Sequence, residues 1–154
     1  MVYFRRLYFL FILEKALTFI EKDTKGFFQF EKLSNICWPG PITLIFKAKA
    51  TVPHGVKSPE GNVAMRVPDH KGLLQLLEHF DALYSTSANI SGKPIPITID
   101  QVEESIVQAV AGMVLNEHSS RLHLPSTIID CTGEKIKIVR QGAFAVEKLK
   151  EFLE

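Results

Sequence analysis

Apolar residues fall along this chain in short runs and at helical spacing by turns, and the alternation predicts the order of its elements. Leu7 to Leu13 is an unbroken apolar stretch ended by Glu14 and Lys15, and it reads as a buried strand running into a helix. Ala16, Leu17 and Ile20 recur at helical spacing over Glu14 to Glu21, and Asp23-Thr24-Lys25-Gly26 is a stop signal. A second short helix, Glu31 to Cys37, places Leu33, Ile36 and Cys37 on one face. Trp38-Pro39-Gly40-Pro41 ends it, because proline removes backbone donors and fixes φ. Ile42 to Ala48 is nearly all apolar, the mark of a strand covered on both faces.

Thr51 to Asn62 carries Pro53, Gly55, Pro59 and Gly61 and reads as a loop, with His54 as an exposed loop histidine. Val63 to Val67 is the next strand, and Pro68-Asp69 leads into a helix from His70 to Phe80 that buries Leu73, Leu74, Leu76 and Leu77. A strand from Leu83 to Ser87 enters the polar stretch Thr86-Ser87-Ala88-Asn89-Ile90-Ser91-Gly92, which Lys93-Pro94-Ile95-Pro96 extends in non-helical form. Asp100 is the expected cap of a helix starting at Ile99. Gly112 to Leu115 reads as a strand, Asn116 to Leu124 as a loop and Ser126 to Asp130 as a strand. Thr132-Gly133 turns into a strand over Ile136 to Val139. Val146 to Leu153 is a last helix packing Val146, Leu149, Phe152 and Leu153. Strands and helices alternating, then a terminal hairpin, predict a single α/β domain over residues 1–154 with a twisted, mixed, open sheet flanked by helices.

Composition narrows the function classes. A chain of 154 residues, 46 % hydrophobic and 23 % charged, is long enough for one real core. Eighteen basic against seventeen acidic residues leave a net charge of +1, so no global field recommends nucleic acid or membrane, and any RNA contact needs a local patch. The apolar run near the start falls short of the roughly 20 residues a membrane helix requires, and no small-residue cleavage site follows it. Cys37 and Cys131 form no disulfide framework or zinc spacing; they read as buried small hydrophobes of a cytoplasmic protein.

Candidate chemistry concentrates at strand ends. The Thr86–Gly92 stretch brings hydroxyls and an amide to one end of a strand, where open α/β sheets place ligands; the competing reading is an ordinary Ser/Asn-rich turn. Arg66, two residues before Pro68, offers a planar fork suited to a carboxylate.

Five motifs then stand in order: Trp38-Pro39-Gly40-Pro41-Ile42-Thr43-Leu44, Met65-Arg66-Val67-Pro68, Thr86–Gly92, Pro125-Ser126-Thr127-Ile128-Ile129-Asp130 and Val139-Arg140-Gln141-Gly142. Together they resemble the YrdC-like family of threonylcarbamoyl-AMP synthases, over roughly Leu33 to Gly142. The resemblance implies a concave ligand-binding face and a nucleotidyltransferase that joins L-threonine, bicarbonate and ATP, carried with Mg²⁺, into threonylcarbamoyl-AMP and pyrophosphate. It implies the threonylcarbamoyladenosine modification of tRNA as the purpose, with tRNA threonylcarbamoyl-transfer proteins and RNA as partners, in the cytoplasm. Carried over by position, Arg66, Thr86 and Ser126 bind L-threonine. Asn62, Ser87, Ala88, Asn89, Pro96 and Arg140 bind the nucleotide, and Ser87, Asn89 and Arg140 are the catalytic set. Thr43 is read as structural, and Asp130 as a cap or a magnesium contact.

The front of the chain departs from the family pattern: nothing before Trp38 reads Tyr-Gly-Leu, and no Lys-x-Arg occurs. The expectation is therefore an N-terminally shortened or diverged synthase. A catalytically impaired module that binds RNA or a nucleotide, and a truncated product that folds poorly, stand beside it.

Overall fold

The computed structural model describes residues 8–10, 13–22, 25–112 and 124–149. The chain divides into two compact units, the larger made from Tyr8–Tyr84 and Leu124–Glu154, the smaller containing Ser85–His123.

The larger unit is built on a six-stranded sheet in the order β4-β1-β3-β2-β5-β6, whose last member on the β4 side runs one residue into the smaller unit. Its strands are β1 (Tyr8–Leu10), β2 (Ile42–Lys47), β3 (Asn62–Arg66), β4 (Leu83–Ser85), β5 (Thr127–Asp130) and β6 (Lys137–Arg140). Helices α1 (Leu13–Ala16), α2 (Lys25–Cys37) and α3 (Lys71–Leu77) belong to the same unit. β1 runs parallel to β3 and β2 parallel to β5, while β2/β3 and β5/β6 are antiparallel, so the sheet is mixed and open as expected.

The register decides which side chains share a face. Leu44 pairs with Met65 and with Ile129, and Phe46 with Val63. These five are buried and form one face of the core with Ile42. Phe30, Leu33 and Cys37 of α2 join them; the Phe30 ring meets Phe46 and Trp38 edge-on at centroid distances of 5.4 and 5.7 Å. Because side chains alternate along a strand, Thr43, Arg66, Ser126 and Arg140 fall on the opposite face.

Several local expectations give way to tertiary context. α2 begins at Lys25, inside the expected stop signal, because Phe30, one turn earlier than the expected start of the helix's apolar face, has an apolar site to fill. Ile36 is 39 % exposed rather than on the buried face. α3 is shorter than expected and buries Leu77 alone; Leu73 and Leu74 are half-buried and Leu76 is exposed. Asp100 caps no helix: a single 3-10 turn occupies Ile99–Gln101, and α4 (Glu104–Ala109) starts after Glu103. Val146–Leu149 is a 3-10 turn that buries Leu149. The expected Phe152 and Leu153 contacts, the loop from Asn116 and most of the strand expected at Gly112 to Leu115 lie outside the described residues; Gly112 itself is not in a strand.

Candidate functional site

Strand direction brings the first group of candidate residues together. β3 ends at Arg66 where the antiparallel β2 begins, β5 begins there because it is parallel to β2, and β6 ends there because it is antiparallel to β5. The end of β3, the residues entering β2 and β5, and the end of β6 therefore share one end of the sheet, and alternation puts Thr43, Arg66, Ser126 and Arg140 on one face of it.

Hydrogen bonds fasten this group. The Ser126 and Thr43 hydroxyls lie 2.9 Å apart, both buried. Arg140 donates from Nε (3.1 Å) and Nη2 (2.7 Å) to the Ser126 carbonyl and from Nη2 (3.2 Å) to the Ser126 hydroxyl. Beneath Ser126, the Thr127 hydroxyl accepts from the backbone amides of Gly142 and Phe144 and donates to the Phe144 carbonyl. This seam presses Gly142 onto the preceding segment: a Cβ there would stand 2.2 Å from the Pro125 carbonyl oxygen and 2.6 Å from the Ser126 carbonyl carbon. Only glycine fits, which gives the Arg-x-Gly motif its physical cause.

Arg66 stands differently. Its Nε donates 2.9 Å to the Gly40 carbonyl, and the Gly40 amide donates 2.9 Å back to the Val67 carbonyl, so the Trp38–Pro41 turn and the end of β3 hold one another. Gly40 is itself confined, since a Cβ would lie 2.6 Å from the Cys37 carbonyl oxygen. Among the described residues no carboxylate pairs with the half-buried Arg66 guanidinium. Burial lowers its pKa, because removing water penalises the cation. A half-buried guanidinium with nitrogens left over from the Gly40 bond has the geometry to receive a carboxylate.

Asn62 shares the face of Arg66 but sits at the other end of β3, paired with Lys47, about 13 Å along the strand by its rise per residue. The structure does not group it with Arg66. Asp130 uses Oδ1 to hold the amide and hydroxyl of Thr132, at the far end of β5.

The second group of candidates lies in the smaller unit. Ala88, Asn89 and Pro96 line one pocket of about 380 Å³ together with Lys93, Gln101 and Glu103. Ala88 has φ +51°, a left-handed conformation that costs a residue with a Cβ on the order of 1 kcal/mol. The loop holds it through its own bonds: Thr86 Oγ1 accepts the Ala88 amide at 3.2 Å, the Ser87 hydroxyl donates to Asn89 Oδ1, and Asn89 Nδ2 donates to the carbonyls of Ile90 and Lys93. Thr86, Ser87 and Asn89 thus fix the shape of the loop.

Four contributors were not legible as site residues. Thr43, read as structural, supplies the hydroxyl that Ser126 meets; a lone hydroxyl in an otherwise apolar strand buried on both faces was the available signal. Gly40 acts through its carbonyl, and Lys93 and Glu103 enter the pocket from either end of a ten-residue interval whose folding no periodicity announces.

Residues 12–142 match the family model Sua5_yciO_yrdC, described as telomere recombination. The chain is 31 % identical over 124 residues to the threonylcarbamoyl-AMP synthase of Pyrococcus abyssi (strain GE5 / Orsay), covering 80 % of this chain and 36 % of the relative. It is 41 % identical over 108 residues to the threonylcarbamoyl-AMP synthase of Shigella flexneri, covering 69 % and 54 %. The crystal structure of P. abyssi Sua5 complexed with L-threonine superposes with a TM-score of 0.81 at 27 % identity, over 96 % of this chain and 43 % of that one. The chain spans about half the length of the curated relatives it matches. No helix among the described residues is long and apolar enough to cross a membrane. The order of motifs, the mixed open sheet and the extent of the family match agree, and this chain belongs to the Sua5_yciO_yrdC family.

Proposed function

We propose that this chain forms threonylcarbamoyl-AMP from L-threonine, bicarbonate and magnesium-bound ATP, releasing pyrophosphate, and that the product serves the threonylcarbamoyladenosine modification of tRNA in the cytoplasm. The observation that carries the reading is Arg66: a half-buried cation at a sheet end, tied to Gly40 by one nitrogen, with no carboxylate partner among the described residues. It suits the carboxylate of an amino acid, and the hydroxyls of Thr43 and Ser126 on the same face suit a side-chain hydroxyl. That the relatives are named threonylcarbamoyl-AMP synthases, and that a structural neighbour was crystallised with L-threonine, supports the same substrate.

In this reading the threonine nitrogen bonds to the carbon of bicarbonate with loss of water, giving a carbamate. A carbamate oxygen then attacks the α-phosphorus of ATP as the bond to pyrophosphate breaks. Every species is an anion, so the protein's contribution is positioning and charge stabilisation rather than a covalent intermediate. Arg66 anchors the threonine carboxylate, and Arg140 fixes Ser126 beside it. The loop from Thr86 to Pro96 receives the nucleotide, and magnesium arrives on the phosphates.

Calorimetric titration of the 154-residue chain with L-threonine and with magnesium-ATP, followed by a pyrophosphate-release assay with bicarbonate, tests this reading. Binding of both ligands with bicarbonate-dependent release supports the synthase. A second reading, a nucleotide-binding module without turnover, is favoured by the engagement of the Ser87 and Asn89 side chains within their own loop; binding without release would select it.

A further inference from the structure

The pocket of the smaller unit contains an ion pair that neither the motifs nor the family match assigns. Lys93 Nζ donates to Glu103 Oε1 at 2.5 Å, and both residues line the pocket beside Ala88 and Asn89. Among the lining residues Lys93 carries the positive charge and Glu103 the negative. The backbone of Lys93 is fixed twice, its amide donating 2.9 Å to the Ile90 carbonyl and its carbonyl accepting 2.7 Å from Asn89 Nδ2. Its side chain is not: the pair is 53 % exposed on the lysine side and 37 % on the glutamate side. A solvated pair of this kind contributes little to stability, so the ammonium can leave Glu103 at small cost. The groups expected to meet phosphate, Ser87 and Asn89, are already bonded to each other and to the loop backbone.

We propose that Lys93 is a phosphate-binding residue of this pocket, with Glu103 its counter-ion in the free chain and a nucleoside polyphosphate taking it over on binding. The inference rests on the proposal that the Thr86–Pro96 loop receives a nucleotide, and it adds the group that supplies charge there. The pocket, at about 380 Å³, is of the size small ligands occupy. A polyphosphate presents several negative charges where Glu103 presents one, so it wins the exchange for an ammonium whose backbone is already in place. The fixed backbone limits the ordering cost to the four torsions of the lysine side chain.

The two halves of the pair separate this proposal from a structural brace. If the bridge only stiffens the loop, removing either partner has the same effect. If Lys93 exchanges partners, the two removals act in opposite directions, because loss of Glu103 frees the lysine for the phosphate. Calorimetric titrations of the full chain with ATP, inorganic tripolyphosphate and adenosine provide the readout. Lys93→Gln is expected to weaken ATP and tripolyphosphate about tenfold or more and leave adenosine unchanged. Lys93→Arg restores most of the loss, and Glu103→Gln tightens both polyphosphates by about threefold. Equal weakening of ATP and adenosine in both glutamine variants, or ATP affinity indifferent to Lys93→Gln, overturns the proposal while leaving the synthase reading intact. A wild-type chain that binds L-threonine but neither ATP nor tripolyphosphate overturns it together with the nucleotide half of that reading.

Discussion

At the scale of single residues, three positions behave in ways their type alone does not dictate. Arg66 is half-buried and tied to Gly40 by Nε without a charged partner among the described residues, and the proposed function gives its cation a ligand carboxylate to meet. On that reading Arg66→Ala is expected to weaken L-threonine binding by about 2 kcal/mol or more, roughly 30-fold, with ATP binding retained and stability lowered only by the about 1 kcal/mol of the lost Gly40 hydrogen bond. Equal loss of both ligands with a lowered midpoint would make Arg66 a fold residue. Gly142 has no room for a methyl group, its Cβ position lying 2.2 Å from the Pro125 carbonyl oxygen. Gly142→Ala should cost about 1–3 kcal/mol in denaturant unfolding and displace Ser126 from Arg140, impairing threonine binding as well as stability. Cys37 and Cys131 are free and buried, as their scarcity suggested. Burial pushes the Cys37 thiol up to about 12 and the Cys131 thiol further, with Asp130 adding to the latter. Neither should react with an alkylating reagent at pH 8 unless the chain is unfolded. Because folding raises these pKa values, the native chain keeps protons that the unfolded chain gives up. Their contribution is complete below the ordinary value of 9.0 and is lost as pH rises toward about 12, so alkaline denaturation curves should show stability falling from about pH 9 upward.

Elements are specified partly by side chains distant in sequence. α3 is held by an adjacent side chain at its start and by a distant one at its end. His70 caps its start, Nδ1 accepting the Leu73 amide at 3.1 Å, and Lys15, more than 60 residues away, donates from Nζ to the carbonyls of Leu77 at its end and of Glu78 and Phe80 just past it. With one buried residue and seven in all, the helix lacks the packing to stand on propensity. His70→Ala should lower global stability by about 1 kcal/mol, and His70→Asn, which keeps a side-chain acceptor, should lower it by much less. Chemical denaturation of the two variants side by side checks the cap. The β2–β5 pair depends in turn on Pro41, whose carbonyl accepts the Thr127 amide at 3.0 Å; the motif that ends α2 also starts the sheet's ladder toward Ser126.

On the scale of the whole molecule, stability is unevenly distributed. Among the described residues every buried one belongs to the larger unit, and none from 85 to 112 is buried. Few buried contacts mean easy local opening. Amide hydrogen exchange over residues 85–112 should accordingly be much faster than in β2, β3 and β5, and should slow on addition of magnesium-ATP if that unit receives the nucleotide. Unchanged exchange at saturating ATP would place the nucleotide elsewhere. Apolar runs such as Ile42 to Phe46 and the breaker Trp38–Pro41 determined by themselves that strand and helix would alternate, because hydrophobic period and proline chemistry act over a few residues. The order of five motifs likewise determined the family, since backbone turns and strand-end cations need particular residue types at particular steps. Only the tertiary structure decided that Thr43, Arg66, Ser126 and Arg140 share one face and one sheet end, that Asn62 lies at the other, and that Lys93 meets Glu103. Those relations depend on strand direction and register, which are set by contacts between segments far apart in the chain and leave no local period to read.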